Sequence, residues 1–126
     1  MQVQKWLNQK TCVVAEGENQ LEVFKNLAKA QEVFGEECCA KCGGDKLRYQ
    51  VRNVQDGKKV YEYPELVCLN YDCRAKLSYG QSDDGVLFPV RFLRKDKEYV
   101  LDENGKKIPK GKYGWVVYNR ETGVEE

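Results

Sequence analysis

Two cysteines, Cys39 and Cys42, stand two residues apart, and two more, Cys68 and Cys73, stand four residues apart, with 25 residues between the pairs. Ionised thiols bind metals, and two of them at the Cys39–Cys42 spacing can chelate one ion because the backbone turns back between them. Gly43 and Gly44 follow directly. Glycine permits the tight turn this needs and leaves backbone N–H groups free to point at sulfur. Four thiolates around tetrahedral Zn²⁺ form a closed structural site with a net charge of −2. In a chain without a secretory signal, such pairs read as metal ligands before they read as disulfides or free buried thiols. The spacing therefore predicts one structural Zn²⁺ per chain, on Cys39, Cys42, Cys68 and Cys73. Cys38 also lies within chelating reach of Cys42, but the two-residue gap favours Cys39. Cys12, in the run Cys12-Val13-Val14-Ala15, reads as a small hydrophobe of a buried strand.

The chain has no histidine. That removes Ser-His and Cys-His nucleophile pairs, HExxH zinc hydrolysis, and zinc deamination with a histidine ligand. A cysteine-only site has no open position for water, and no imidazole base stands beside it. Asp83 and Asp84 sit in an apparent loop and read as solvated surface, although carboxylates alone suffice to hold Mg²⁺. No enzymatic role and no small-molecule substrate are expected.

The elements that must position the cysteines follow from local pattern. Leu47 to Val54 alternates, with Leu47, Tyr49 and Val51 on one face and Arg48, Gln50 and Arg52 on the other. Asp56-Gly57 signals a hairpin turn with positive φ at both positions, and Lys59 to Cys68 is the return strand. Pro64 marks an edge position or a bulge in it. A third strand runs on through Arg74 to Leu77. Knuckle, hairpin and second knuckle make a zinc ribbon over about residues 36–79. Ahead of it, Thr11 to Glu16 predicts a strand and Asn19 to Phe34 a helix. Asn19 caps that helix, Glu22 takes the capping-box position and Gly35 ends it. Val23, Phe24, Leu27, Ala30 and Phe34 form its apolar stripe, expected to pack on a sheet. After the ribbon, Val86 to Leu93 (broken or edged at Pro89), a hairpin at Asn104-Gly105 and a last strand over Gly114 to Tyr118 return to β patterning.

Length and composition bound the rest. At 126 residues with 33% charged and 41% hydrophobic side chains, the chain predicts one soluble domain over 1–126. No apolar run approaches the roughly 20 residues that span a bilayer, and the N-terminus lacks the apolar stretch of a signal peptide, so a cytoplasmic protein without a membrane partner is expected. The net charge of +1 hides a gradient, with the basic residues concentrated over 46–120 and Glu121, Glu125 and Glu126 at the end. Arg48 and Arg52, Lys58 and Lys59 with Tyr61 and Tyr63, and the cluster Lys106, Lys107, Lys110 and Lys112 with Tyr113 and Trp115 pair cations with rings. Cations follow phosphates while rings stack on unpaired bases, so this pairing suits a single-stranded nucleic acid. Against it stands the ordinary use of strand tyrosines and tryptophans as packing and of lysines as solvated surface.

Several stretches carry a resemblance. Leu21-Glu22-Val23-Phe24 through Ala30-Gln31-Glu32-Val33-Phe34-Gly35 leads into the first cysteine pair. Arg52, Tyr61 to Val67, the second pair, Gly80-Gln81, Leu87-Phe88-Pro89 and Gly114-Trp115 follow in order. Over roughly residues 11–118 the chain resembles small zinc-ribbon proteins encoded in bacteriophage and prophage genomes, often near replication and recombination genes. Their second pair commonly has a two-residue gap, where this chain has four. The resemblance implies a ribbon fold and a role beside phage nucleic acid in the host cytoplasm, and brings no catalytic residues. The fold class expected is α+β: an N-terminal strand and helix, a four-cysteine zinc ribbon, and a C-terminal antiparallel portion that could close as an OB-like barrel. The function expected is nucleic-acid binding, single-stranded DNA foremost. The alternative is a protein-interaction module that presents a sheet edge or hairpin to a partner.

Overall fold

A computed structural model describes residues 1–126 and shows an α+β fold with one helix and antiparallel strands. Where the sequence predicts one domain, the chain divides into two units, Met1–Glu37 and Cys38–Glu126. The boundary falls between Glu37 and Cys38, with no Pro-, Gly- or Ser-rich linker to announce it.

In the first unit, β1 (Gln2–Trp6) pairs antiparallel with β2 (Cys12–Glu16). Asn8 shapes the loop between them, its side-chain oxygen accepting from the Lys10 and Thr11 backbone N–H groups at 2.9 and 3.0 Å. Helix α1 (Gln20–Phe34) starts as the cap predicts: Asn19 Oδ1 accepts from the Glu22 N–H at 2.9 Å. The Glu22 carboxylate reaches back one residue further than a standard capping box, to the Glu18 N–H at 3.1 Å. Gly35 ends the helix, its N–H bonded to the Gln31 carbonyl. Ala15, Val23 and Val33 are buried, so the covered stripe runs through Val23 and Val33. Phe24, expected in that stripe, is 71% exposed, and Phe34 is exposed too. Fifteen residues on a two-stranded hairpin cover only a narrow face.

The second unit is built on a long hairpin. Strands β3 (Leu47–Asp56) and β4 (Lys59–Cys68) pair without a bulge over ten consecutive positions, from Leu47↔Cys68 to Asp56↔Lys59. The turn is Gly57-Lys58, and of Asp56 and Gly57 only the glycine has positive φ. The turn is therefore displaced by one residue from the predicted Asp56-Gly57, as suits a turn with glycine first. Strand β5 (Lys76–Gln81) pairs with β4 only at Glu65, Leu66 and Val67. From Pro64 to the turn the hairpin is thus a free two-stranded arm, about 20 Å long at the usual rise per residue. Pro64 stands where the outer edge of β4 loses its partner, the edge role its missing N–H allows.

Beyond β5 come β6 (Leu87–Pro89), β7 (Arg94–Lys95) paired with β8 (Glu98–Tyr99), β9 (Trp115–Val116), and β10 (Tyr118–Asn119) paired with β11 (Val124–Glu125). Strands β6 and β9 both pair with β5. The main sheet is open, because β3 has β4 as its one neighbour; no OB-like barrel closes. The strand expected over Val86 to Leu93 is three residues long and stops at Pro89.

The core lies where β9 meets β5. Leu66, Leu77 and Trp115 have no exposed surface, and Val116, Ala75 and Tyr79 are buried around them. Gly114 makes this approach possible: its φ is +92°, and a Cβ there would stand 2.6 Å from the Val90 carbonyl oxygen and 2.7 Å from a Leu77 methyl.

Candidate metal centre

The first knuckle is a closed turn. The Cys39 N–H bonds the Gly44 carbonyl and the Gly43 N–H bonds the Cys39 carbonyl, each at 2.8 Å, with Gly43 at φ +76°. The second knuckle begins as β4 ends. The Cys68 N–H bonds the Ala75 carbonyl at 2.8 Å, and the Asn70 carbonyl accepts from Cys73 and Arg74, each at 3.0 Å. The four-residue gap that departs from the common ribbon spacing is absorbed by this turn, with Arg74 in the left-handed region at φ +56°. A backbone bond between the knuckles, Leu69 N–H to the Lys46 carbonyl at 2.9 Å, helps to fix one against the other.

These turns bring four sulfurs together. The Sγ atoms of Cys39, Cys42, Cys68 and Cys73 all lie within 4.8 Å of one another. Cys39 and Cys73 are 3.8 Å apart and Cys42 and Cys68 3.6 Å. A tetrahedron with metal–sulfur bonds of about 2.3 Å has edges of about 3.8 Å, so the donor set fits a four-coordinate ion. Cys39 and Cys68 are buried, Cys73 half-buried and Cys42 exposed. Cys38 is exposed and outside the cluster, so the sulfurs that lie together include Cys39 and not Cys38. Cys12 lies in β2, half-buried, its sulfur 3.2 Å from Gln4 Nε2.

The surroundings prepare the sulfurs for charge. Each one faces the backbone N–H of the residue two further on: Lys41 for Cys39, Gly44 for Cys42, Asn70 for Cys68 and Ala75 for Cys73. Cys39 faces the Cys42 N–H as well. The sequence pointed to this only at the glycines that follow Cys42, because the same geometry is available to any residue type that can adopt the turn. Burial nevertheless pushes the Cys39, Cys68 and Cys73 thiols above their ordinary 9.0. Cys42 goes the other way, brought down to about 7 chiefly by the Gly44 N–H, which lies 3.3 Å from its sulfur. Asn70 Nδ2, at 3.6 Å from the same sulfur, adds to this. Three thiols that resist ionising in isolation and one that is poised to ionise make a site that a cation completes.

The expected nucleic-acid residues separate into three groups. Arg48 and Arg52 lie on one face of the β3–β4 hairpin, Arg52 on the free arm in register with Tyr63 and Arg48 below its root in register with Val67, and Val54 on that face is in register with Tyr61. The Arg52 guanidinium lies 5.0 Å from the centre of the Tyr63 ring, and Tyr61 and Tyr63 stack at 6.5 Å with 26° between their planes. Both tyrosines are 43% exposed, where the sequence weighed more heavily toward packing. At the root of this face, buried Glu65 accepts from Gln50 Nε2 at 2.6 Å and stands 3.7 Å from Arg52 and 4.0 Å from Lys76. Arg48 donates to Gln50 at 2.8 Å.

The second group is the lysine cluster. Lys106 and Lys112 are exposed, Lys110 is half-buried, and Lys107 rests its ammonium 4.1 Å from the centre of the Tyr99 ring and 5.6 Å from that of Phe92. Tyr113 is exposed and left-handed, at φ +53°, its carbonyl accepting from Arg91 at 2.5 Å. Trp115 stands alone as a correction. With no exposed surface it is the centre of the core, and it offers no face for a base. No helix is long and apolar enough to cross a membrane. No family model, curated protein or solved structure matches the chain.

Proposed function

We propose that this chain is a nucleic-acid-binding module, single strands foremost, whose binding arm is rooted in a structural Zn²⁺ site on Cys39, Cys42, Cys68 and Cys73. Four thiolates in tetrahedral array suit a soft or borderline ion, and zinc needs no redox partner to serve as a fixed cross-link. The observation that carries the binding role is the arm face. Two stacked, exposed tyrosines with the Arg52 guanidinium over Tyr63, and Arg48 further down the same face, combine flat surfaces for bases with cations for phosphates. The bulk of the arm has no third strand to cover that face.

The test is affinity for a fluorescent single-stranded oligonucleotide across a salt series. Each phosphate contact removed lowers the slope of log affinity against log salt by about 0.7. Arg48→Ala and Lys106→Ala should each flatten it, while Tyr61→Ala should cost about 1–3 kcal/mol at constant slope. Absence of binding at low salt would overturn the reading. A second reading rests on the outer edge of β3, ten residues without a strand beside them. A protein partner adding a strand there would bind with little response to salt.

A further inference from the structure

The turn joining β7 and β8 borders a cleft of about 340 Å³ whose polar lining is Tyr79, Arg94, Asp96, Lys97 and Lys110. That volume is at the small end of ligand sites. Three cations and one carboxylate give the lining a net charge of +2, and none of the four is joined in an ion pair.

Arg94 is held in place from several sides. Its guanidinium lies 5.1 Å from the centre of the Phe88 ring and 5.7 Å from that of Tyr99, and Nη2 donates to the Lys97 carbonyl at 3.3 Å. A Cβ on Gly80 would stand 2.7 Å from Nη1, so glycine at that position admits the guanidinium. Nε is enclosed and finds no acceptor on the protein. A guanidinium brings five donors, and the fold uses few of them here. The turn itself is strained. Asp96 and Lys97 have φ of +52° and +69°, a region where glycine is at ease and lysine is not. The strained lysine is one of the cations of the cleft.

We propose that this cleft binds a phosphate monoester, with Arg94 as a fixed fork and Lys97 and Lys110 as mobile point charges. A phosphate dianion balances the +2 lining and can accept from the terminal guanidinium nitrogens, of which Nη2 makes one long bond to the Lys97 carbonyl. The phosphate has two sources, a terminal phosphate of an oligonucleotide or a small phosphorylated molecule. The first rests on the nucleic-acid reading above; the second does not.

Metal-loaded, full-length protein is titrated calorimetrically with inorganic phosphate, and separately with one short oligonucleotide bearing a 5′-phosphate, a 3′-phosphate or neither. Wild type, Lys97→Gly and Lys110→Ala are compared. Inorganic phosphate should bind wild type and weaken about tenfold in each variant. Lys97→Gly should at the same time raise the melting temperature, because glycine relaxes the left-handed turn; loss of binding in a stabilised protein is not a folding defect. Tighter binding of one phosphorylated oligonucleotide, competed by inorganic phosphate, assigns the terminal phosphate as source. Phosphate binding with no preference among the oligonucleotides upholds the cleft and assigns a small molecule. No phosphate binding, or binding indifferent to both variants, overturns the proposal even if oligonucleotides still bind to the arm. Phosphate binding without any oligonucleotide binding would instead overturn the nucleic-acid reading and leave the cleft standing.

Discussion

Filling the four-sulfur site with Zn²⁺ must expel every proton its thiols hold, and the number follows from their surroundings. Cys39, Cys68 and Cys73, raised above 9.0 by burial, each carry a full proton at pH 7. Cys42, at about 7 because of the Gly44 N–H, carries half of one. Binding at pH 7 should therefore release about 3.5 protons, and fewer at pH 8, where Cys42 is mostly ionised. The sign is fixed: apparent zinc affinity rises with pH, at nearly four decades per unit below about pH 6 and less steeply above pH 8. Calorimetric titration of reduced, metal-free protein in buffers of different ionisation enthalpy reads the count as the slope of observed heat on buffer heat. A release of two protons or fewer would show that the second knuckle does not contribute its thiolates. Equal counts at pH 6 and pH 8 would refute the separate standing of Cys42.

Three shorter predictions complete the set. Cys39→Ser should lower zinc stoichiometry or affinity sharply, while Cys38→Ser, outside the cluster, should leave both unchanged; the reverse result in elemental analysis would move the ligand to Cys38. Chelator without reductant should lower the melting temperature, and mild reductant without chelator should not; the opposite pattern would mean disulfides. Trp115→Ala should cost about 3–5 kcal/mol in denaturant unfolding, since the indole has no exposed surface; a loss under about 1 kcal/mol would contradict its central place in the core.

What the sequence made legible was local. The Asn19 cap, the alternation from Leu47 onward, the return strand to Cys68 and the four ligands all depend on near neighbours in the chain. The exposure of Tyr61 and Tyr63 does not. Alternation assigns them to one face of a hairpin, but how far a third strand covers that face depends on β5, whose pairing stops at Glu65. Trp115 errs in the opposite direction for the same reason, because its burial comes from pairing with Leu77 and from the close approach at Gly114. Strand β1 was missed since Gln2-Val3-Gln4-Lys5-Trp6 holds a single aliphatic residue. The Arg94 cleft draws on Tyr79, the β7–β8 turn and Lys110, and the one hint in sequence was the alternation of rings and cations from Phe88 to Tyr99.

The pairing of Leu47 with Cys68 closes the β3–β4 ladder directly at the sulfur cluster. Side chains alternate along a strand, so sliding β4 by one residue would turn Cys68 to the opposite face and carry it out of reach of Cys42. The same slip would send Tyr61 and Tyr63 to the face opposite Arg48 and Arg52. The buried Leu66 and the Gly57-Lys58 turn favour the same alignment, and the cysteine cluster adds a third constraint at the far end of the ladder. A metal bound by these four cysteines would thus act as a proofreader for the tyrosine surface about 20 Å away: four thiolates could close on it only in the alignment that also assembles the Arg52–tyrosine face.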